Sequence, residues 1–486
     1  MSGPALALVA RPDERLTPLE RLEVLCDPGS LQLVRTAVRS QRMGERARDG
    51  DGVLGGTGMV DGRAVACFAQ DASFAGGSLG EAHADTVVRV LEMAGRGRMP
   101  CVGFVESAGA RMQEGVAALA GYGRIFRAHT ALSGQVPQIS IVCGASAGGG
   151  SYAPALTDIV VMTRRASMFL TGPGVVQEVT GEDVDAATLG GPRVHARNGV
   201  CHLVADTEVD AALLARDLLD HLPQHAGVAA QRWPSVDPAA GAPDAVVPAE
   251  QRRVYDVRHV IARLVDGGRQ VELGERWARN VVCALARIDG RAVGVVANQP
   301  RHLGGVLDAE SASKAARFVR TCDAFGLPLV VLVDTPGFLP GTAQERAGVI
   351  RHGAKLVHAF AAATVPRITV VLRKAFGGAF IAMNSKDLGA DYVFAWPQAQ
   401  IGVMGAQQAV GILHRREIAA DADPEHARAH LAARYADEHL DVAAATAGGF
   451  VDEIVAPGAT RARISAALEA LDAVHRPPRP TRNIPL

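Results

Sequence analysis

The chain of 486 residues carries one long pattern twice, and this repeat constrains the fold more than any single motif. Each half has a glycine pair, then an apolar run opened by a proline, then a second such run that ends in a glycine-rich turn. The spacings agree: Gly77 to Pro100 and Gly305 to Pro328 are both 23 residues, and Pro137 to Gly148 and Pro366 to Gly377 are both 11. A repeat of this length predicts two similar domains.

Composition narrows the class of protein. A chain of this length exceeds one ordinary hydrophobic core, and 48% hydrophobic residues support two. The 50 Lys and Arg residues against 51 Asp and Glu residues leave no basic excess for a nucleic acid. No run approaches the roughly 20 apolar residues that cross a membrane, and the N-terminus lacks the cationic start of a signal peptide. We therefore expect a cytoplasmic protein without nucleic-acid or membrane partners.

Cysteine and histidine spacing gives no sign of a metal site. The seven cysteines are scattered singly without a CxxC pair, so neither a zinc ribbon nor a disulfide framework is expected. The histidines form no HExxH motif or other metal-ligand spacing. The prediction for metals is none.

Local signals predict how each half begins. The region from about Leu16 to Arg48 is typical of helix, with Thr17 as N-cap and Pro18 at the first helical position. Two β-rich runs then follow, joined by Asp61-Gly62, and a similar pair is joined by Asp289-Gly290. Asp-Gly between strand-like runs predicts a β-hairpin.

After each hairpin, helical stretches alternate with short apolar runs, such as HADTVVRVLEMAGR before PCVGFV and SASKAARFVRTCDAF before PLVVLV. Continuous apolar runs of this length are typical of strands buried on both faces. The alternation predicts an α/β fold with right-handed crossovers. A segment rich in Pro and Ala separates the halves, so we expect domains at 1–235 and 252–486 with a linker at 236–251.

The two glycine-rich turns are the candidate functional sites: Gly148, Gly149 and Gly150 in the first half, and Gly377, Gly378 and Ala379 in the second. Backbone amides without an obstructing Cβ can stabilise a carbonyl oxygen that gains negative charge. The competing interpretation is that glycine lets a helix pack closely on a strand. Because two turns match, paired oxyanion sites are favoured. GASAGG is not the GxSxG elbow of serine hydrolases.

Several longer motifs carry a resemblance to a known family: FAGGSLGEAHADTVVRVLEMA, ESAGARMQEGV, VDTPGFLPGTAQE and TVPRITVVLRKAFGGAFIAM. They resemble the carboxyltransferase (β) subunits of biotin-dependent acyl-CoA carboxylases of the propionyl-CoA and acetyl-CoA type, over nearly the whole chain. The resemblance implies two tandem crotonase-like domains, each a sheet with helices in a βαβ spiral. It also implies a homo-hexamer, a trimer of dimers, with active sites between the N-terminal domain of one subunit and the C-terminal domain of its partner.

The resemblance also implies roles for particular residues. The first turn would hold the thioester oxygen of acyl-CoA and the second the ureido oxygen of carboxybiotin, so that backbone groups stabilise both anions without a protein base. Ala110 and Arg111 are candidate substrate-binding residues, and for Arg111 a salt-bridge or helix-capping role is an equal alternative. Ile381 would line the acyl pocket and favour short acyl groups. Biotin would arrive on a biotin carboxyl carrier subunit that works with a biotin carboxylase.

We therefore predict an enzyme that transfers a carboxyl group from carboxybiotin to a short-chain acyl-CoA. A transcarboxylase or decarboxylase acting on malonyl- or methylmalonyl-CoA is the alternative, because the same anions form in both directions. A crotonase-type hydratase or isomerase would need carboxylates beside the first turn, and the residues after Gly150 offer none. A paralogue that assembles but has little activity is a further alternative.

Overall fold

The computed structural model describes residues 15–472 and Asn483. These divide into two compact units, the first comprising residues 15–228 with Asn483 and the second residues 229–472. The boundaries 1–235, 236–251 and 252–486 remain our proposal for the functional domains. The N-terminal stretch that bears on a signal peptide lies outside the described residues. Within the described part, no helix combines the length and apolar content that a membrane crossing requires.

The first unit is built on an eight-stranded sheet with the order β1-β2-β3-β4-β5-β6-β8, and β7 pairs with the end of β5. The hairpin β2–β3 is antiparallel, whereas β3 to β6 and β8 run parallel. The strands are β1 Gln32–Val34, β2 Val53–Val60, β3 Arg63–Gln70, β4 Cys101–Ser107, β5 Gln138–Ala147, β6 Ile159–Thr163, β7 Ser167–Phe169 and β8 Leu203–Ala205.

The second unit repeats this sheet with the order β9-β10-β11-β12-β13-β14-β16, and β15 pairs with the end of β13. Again a hairpin is followed by parallel strands. The strands are β9 Gln270–Glu272, β10 Val281–Ile288, β11 Arg291–Asn298, β12 Leu329–Thr335, β13 Arg367–Phe376, β14 Tyr392–Ala395, β15 Gln400–Gly402 and β16 Glu453–Ile454. The predicted α/β repeat is confirmed.

Helices follow the strands in both units. The first unit contains α1 Pro18–Leu25, α2 Glu81–Gly97, α3 Val116–Leu132, α4 Gly149–Ala155, α5 Pro173–Thr180, α6 Ala186–Gly190, α7 Pro192–Asn198 and α8 Glu208–His221. The second unit contains α9 Arg258–Ala262, α10 Ala309–Ala324, α11 Thr342–Ala347, α12 Val349–Ala362, α13 Gly377–Ala382, α14 Ala406–Leu413, α15 Arg415–Ala420, α16 Pro424–His439, α17 Val442–Ala447 and α18 Thr460–Asp472.

Both predicted hairpins form at their Asp-Gly turns. The φ angles are 49° and 76° at Asp61 and Gly62, and 53° and 74° at Asp289 and Gly290. Positive φ at both central residues is the geometry of the type I′ turn, which matches the twist of the flanking strands. This local signal therefore sets the register of each hairpin.

The predicted helix at the start of the chain is correct at its beginning and wrong in its length. Thr17 caps α1 through a capping box with Glu20, and Pro18 is its first residue. The helix ends at Leu25 instead of extending to Arg48. Pro28 disfavours helical geometry in the residue before it, and Gly29 has a φ of 73°. The next stretch forms β1 and short turns of 3-10 helix.

The predicted linker packs on the second unit. The Trp233 amide, just before it, donates to the Gly290 carbonyl at 2.9 Å, and a short 3-10 helix spans Pro243–Val246. The Arg373 guanidinium in β13 donates to the carbonyls of Pro248 and Glu250 at 3.2 and 3.1 Å. The segment thus has fixed hydrogen-bond partners.

A buried lysine holds together the loop before β10. The Lys314 ammonium in α10 donates to the carbonyls of Gly274, Trp277 and Val281 at 2.9, 3.0 and 2.7 Å. Burial lowers the pKa of this lysine. Buried carbonyls need hydrogen-bond partners. The Lys314 ammonium supplies these partners to carbonyls of the loop, where strand pairing does not.

We expect Lys314→Met to destabilise the chain by about 2–4 kcal/mol, because three buried carbonyls lose a charged donor. Equilibrium unfolding in denaturant measures this change. Lys355→Met, at an exposed position in α12, is the control and should change the free energy of unfolding by no more than about 0.5 kcal/mol. Equal stability of the two variants would contradict the assigned role.

Candidate active site

The first glycine turn lies where β5 ends. Gly148 has a φ of 56°, which L side chains rarely adopt, and α4 begins at Gly149. The Gly148 amide donates to the Phe169 carbonyl at 3.0 Å. Among the described residues, no acceptor takes the amides of Gly149 and Gly150. Gly148 therefore shapes the turn, and Gly149 and Gly150 are the free donors.

The glycines of the first turn also serve packing. A Cβ at Gly149 would lie 2.6 Å from Cγ of Tyr122, and a Cβ at Gly150 would lie 3.1 Å from Oγ of Ser146. The close-packing interpretation of this turn is thus correct for Gly149. It is compatible with free amides, because the absent side chain and the amide point in different directions.

The Ala110 amide of this unit also has no acceptor among the described residues. The Leu79 amide donates to the Gly109 carbonyl at 2.8 Å, and the Arg111 amide donates to the Leu79 carbonyl at 2.9 Å. In this parallel bridge, Ala110 is the residue whose amide faces away from the partner loop. A Cβ built at Gly109 would lie 3.4 Å from the Ala147 carbonyl, so the loop contacts the end of β5.

The second glycine turn repeats the first at the end of β13. Gly377 has a φ of 59° and begins α13, and Ala379 is buried whereas Gly378 is exposed. No acceptor within the described part of the chain takes the amides of Gly378 and Ala379. Of the residues that the structure describes, a Cβ at Gly378 would meet only the Phe338 ring, at 3.9 Å. Packing within the chain therefore does not require glycine there.

Phe338 is a candidate site residue that sequence reasoning missed. The Leu307 amide donates to the Gly337 carbonyl at 3.0 Å, and the Leu339 amide donates to the Leu307 carbonyl at 2.7 Å. Phe338 thus occupies the bridge position that Ala110 holds in the first unit. The repeat contained the signal, because Phe338 follows its bridging leucine by the same 31 residues as Ala110 follows Leu79.

The other two predicted substrate-binding residues differ in exposure. Ile381 is 50% exposed in α13, three positions after Gly378. The Arg111 side chain has no exposed surface, and its Nη1 contacts Oδ1 of Asp51 at 2.6 Å and Oε1 of Glu114 at 2.8 Å. The structure thus brings Ile381 to the second turn and shows the salt-bridge alternative for Arg111.

Two polar side chains near the first turn, those of Ser151 and Glu106, are engaged with other groups. The Ser151 hydroxyl donates to the Ser146 carbonyl at 2.5 Å. The Glu106 carboxylate, at the end of β4, pairs with Arg21 at 2.8 Å. Burial raises the pKa of Tyr122, which keeps its hydroxyl neutral. Within residues 15–472 and 483, no group of three His, Cys, Asp or Glu side chains is placed to hold a metal.

Comparison with known proteins identifies the family. The carboxyl transferase domain family matches residues 10–484. The propionyl-CoA carboxylase beta chain of Saccharopolyspora erythraea is 47% identical over 476 residues, covering 94% of this chain and 87% of that protein. The methylmalonyl-CoA carboxyltransferase 12S subunit of Propionibacterium freudenreichii subsp. shermanii is 46% identical over 475 residues, covering 96% and 90%.

A solved structure extends this likeness to the fold. The transcarboxylase 12S crystal structure with methylmalonyl-CoA and methylmalonic acid bound matches with a TM-score of 0.91 and 45% identity, covering 97% of this chain and 92% of that one. The fold and its repeated turns are those of a tandem crotonase-like enzyme. The chain belongs to the carboxyl transferase family and is a transferase. The family and fold predicted from the motifs are confirmed.

The contacts around the two turns predict that adding one methyl group lowers stability at the first turn and leaves it nearly unchanged at the second. Gly149→Ala should lower stability by about 1–3 kcal/mol, because the methyl overlaps the Tyr122 ring. Gly378→Ala should stay within about 0.5 kcal/mol of the wild type, because the space beside it is open. Thermal unfolding of both variants tests this difference. A Gly149→Ala protein as stable as Gly378→Ala would show that the packing at Tyr122 is wrongly described.

Proposed function

We propose that this chain transfers a carboxyl group from carboxybiotin, carried by a partner protein, to the α-carbon of a short-chain acyl-CoA such as acetyl-CoA or propionyl-CoA. The products would be malonyl-CoA or methylmalonyl-CoA. The observation that carries the proposal is the second glycine turn. Gly378 has open space beside it and adjoins amides that have no acceptor among the described residues, at the place in the second unit that the first turn occupies in the first unit. The names of the relatives support the same chemistry.

In this proposal the first unit stabilises the acyl-CoA anion. The amides of Ala110 and of Gly149 or Gly150 donate to the thioester oxygen, which becomes an enolate oxygen when the α-proton leaves. Fixed backbone donors stabilise that oxygen more in the anion than in the ground state, so they lower the barrier. The enolate carbon then attacks CO2, and the thioester is restored.

The second unit acts on the ureido oxygen. Carboxybiotin supplies an activated carboxyl group that is released as CO2 when negative charge moves onto its ureido oxygen. The amides of Phe338 and of Gly378 or Ala379 would donate to that oxygen, with Gly377 setting the turn. The bound biotin ring would also supply the acceptor for the α-proton, which agrees with the engaged side chains of Ser151 and Glu106.

The partners in this proposal are a biotin carboxyl carrier and a biotin carboxylase subunit. A homo-hexamer is supported by the likeness to the transcarboxylase 12S structure, which is a hexamer assembly. In the proposed assembly, each active site combines the first unit of one subunit with the second unit of its partner. A cytoplasmic location is part of the same proposal.

The second candidate is a transcarboxylase that uses methylmalonyl-CoA as carboxyl donor. The 46% identity to a methylmalonyl-CoA carboxyltransferase subunit supports this second candidate. The same amides would stabilise the same anions in both directions of carboxyl transfer. Supplying methylmalonyl-CoA and free biotin, and measuring carboxybiotin, tests this direction. The physiological direction follows from which carrier protein accepts or supplies the carboxyl group.

Gly378→Val should lower the rate of carboxyl transfer at least about 100-fold, because the branched side chain occupies the place of the ureido oxygen. Transfer is measured with carboxybiotin and propionyl-CoA. Gly458→Val is the matched control, since a Cβ at that glycine meets nothing within 4 Å. If Gly378→Val is folded and turns over like the control, the second turn does not hold the reacting oxygen.

Wild-type enzyme should carboxylate both acetyl-CoA and propionyl-CoA, with kcat/KM values that differ by no more than about 200-fold, because one methylene in an apolar pocket provides about 10- to 200-fold selectivity. Ile381→Asp should shift the preference away from acetyl-CoA. A panel of acyl-CoA thioesters from acetyl to hexanoyl measures both effects. A wild type that prefers chains beyond butyryl would disprove the short-chain assignment.

A further inference from the structure

A buried ionic cluster lies directly beside Ala110. We call Asp51, Arg111 and Glu114 the Arg111 cluster. Nη1 of Arg111 contacts both carboxylates, at 2.6 and 2.8 Å, and all three side chains have no exposed surface. Such a cluster is weak evidence for stability, because desolvation of the charges offsets their attraction. The arrangement of these three side chains therefore needs an explanation other than a gain in stability.

The Arg111 cluster fixes backbone groups on the loop opposite Ala110. Nη2 of Arg111 donates to the Ser78 carbonyl at 2.9 Å. The Glu114 carboxylate accepts the Glu81 amide at 2.6 Å, where α2 begins. Ser78 and Glu81 flank Leu79, which pairs with Gly109 and Arg111. The cluster thus holds both sides of the bridge that turns the Ala110 amide outward.

The second unit anchors the same two backbone groups with neutral side chains. Nδ2 of Asn280 donates to the carbonyl of Val306 at 2.8 Å, and Oε1 of Gln344 accepts the amide of Ala309 at 3.1 Å. Val306 precedes its bridging leucine as Ser78 does, and Ala309 begins its helix as Glu81 does. What the units share is therefore the anchored backbone and not the charge.

We propose that Arg111 is a positioning residue, which holds the Ala110 amide in place for the thioester oxygen through its hydrogen bond to Ser78. This inference rests on the proposed function. Arg111 is too buried to touch a ligand, and the neutral anchors of the second unit show that charge as such is not required. Displacing a catalytic group by about 1 Å can lower the rate about 100-fold. Loss of the anchor should therefore lower turnover and leave substrate affinity unchanged.

Two variants separate the anchor from the charge. Arg111→Lys keeps a cation beside both carboxylates, but a single amine cannot also reach the Ser78 carbonyl in the fork geometry of a guanidinium. Glu114→Gln removes a charge but keeps the acceptor for the Glu81 amide, as Gln344 does in the second unit. We expect kcat to fall at least about 10-fold in Arg111→Lys and to stay within about 3-fold in Glu114→Gln.

Propionyl-CoA affinity, measured by calorimetry on the full chain, should stay within about 3-fold of the wild type in both variants, because the anchored amide acts on the anion more than on the ground state. The positioning role is disproved if Arg111→Lys retains kcat within about 3-fold, or if Glu114→Gln loses as much as Arg111→Lys. A fall in affinity equal to the fall in kcat would assign Arg111 to substrate binding instead.

Asp51→Asn provides a second test if Arg111→Lys is not folded. Asn tolerates the positive φ of 50° at this position and keeps the acceptor for the His83 amide. It removes the charge from the shorter of the two contacts to Nη1 of Arg111, 2.6 Å against 2.8 Å for Glu114, and so weakens the pairing that aims the guanidinium more than Glu114→Gln does. An intermediate fall in kcat, with unchanged affinity, supports the proposal. An unchanged kcat overturns it.

Hydrogen exchange distinguishes this inference from the proposed function. The amides of Leu79 and Arg111 are bonded in the bridge, so their exchange should be at least about 10-fold faster in Arg111→Lys and unchanged in Glu114→Gln. If wild-type enzyme transfers no carboxyl group to any acyl-CoA, the proposed function fails. If it is active and the bridge exchanges equally in all variants, the anchoring role alone fails.

Discussion

Each unit depends on one short parallel pairing between two loops that lie outside the sheet. Leu79 pairs with Gly109 and Arg111, and Leu307 pairs with Gly337 and Leu339. In such a pairing, alternate residues point their amides in opposite directions. One amide per unit is therefore turned away from its own chain, and it becomes a donor that a ligand oxygen can use.

The pairing places that donor beside a second one from the end of a strand. Strands β5 and β13 each end beside a glycine with positive φ, so the chain turns sharply and the next two amides find no acceptor within the described part of the chain. Each unit supplies rigid donors from two places at once, the bridge and the turn, and none of them requires a change of protonation. Backbone donors of this kind suit a reaction whose intermediates are anions with the charge on oxygen.

The two units support this common backbone with different side chains. The first relies on Arg111 with two buried carboxylates, whereas the second relies on Asn280 and Gln344. The second unit places its buried ion pair elsewhere, between Arg373 and Asp334 at 2.8 Å. The two units therefore share the positions of these backbone groups but hold them with different side-chain chemistry.

Much of the fold could be predicted because its signals are local or repeated. The Asp-Gly turns and the Thr17 cap act over four residues, and the matched spacings revealed both units and their glycine turns. The predicted helix does not continue beyond Leu25, because Pro28 disfavours helical geometry before it and Gly29 adopts a positive φ. Phe338 was not predicted, because the direction of its amide depends on the pairing of two loops and not on its own side chain.

The sequence alone determined the duplicated α/β fold, the family, and the two turns, since these follow from spacing and from glycines at turn positions whose backbone conformation few other residue types tolerate. The tertiary structure decided which amides are free. Gly148 is occupied because β7 brings the Phe169 carbonyl to it, and Arg111 is buried because Asp51 lies 60 residues before it in sequence but 2.6 Å away in space. Hydrogen bonds between segments so distant in the chain depend on how the sheet closes, which local residue patterns do not encode.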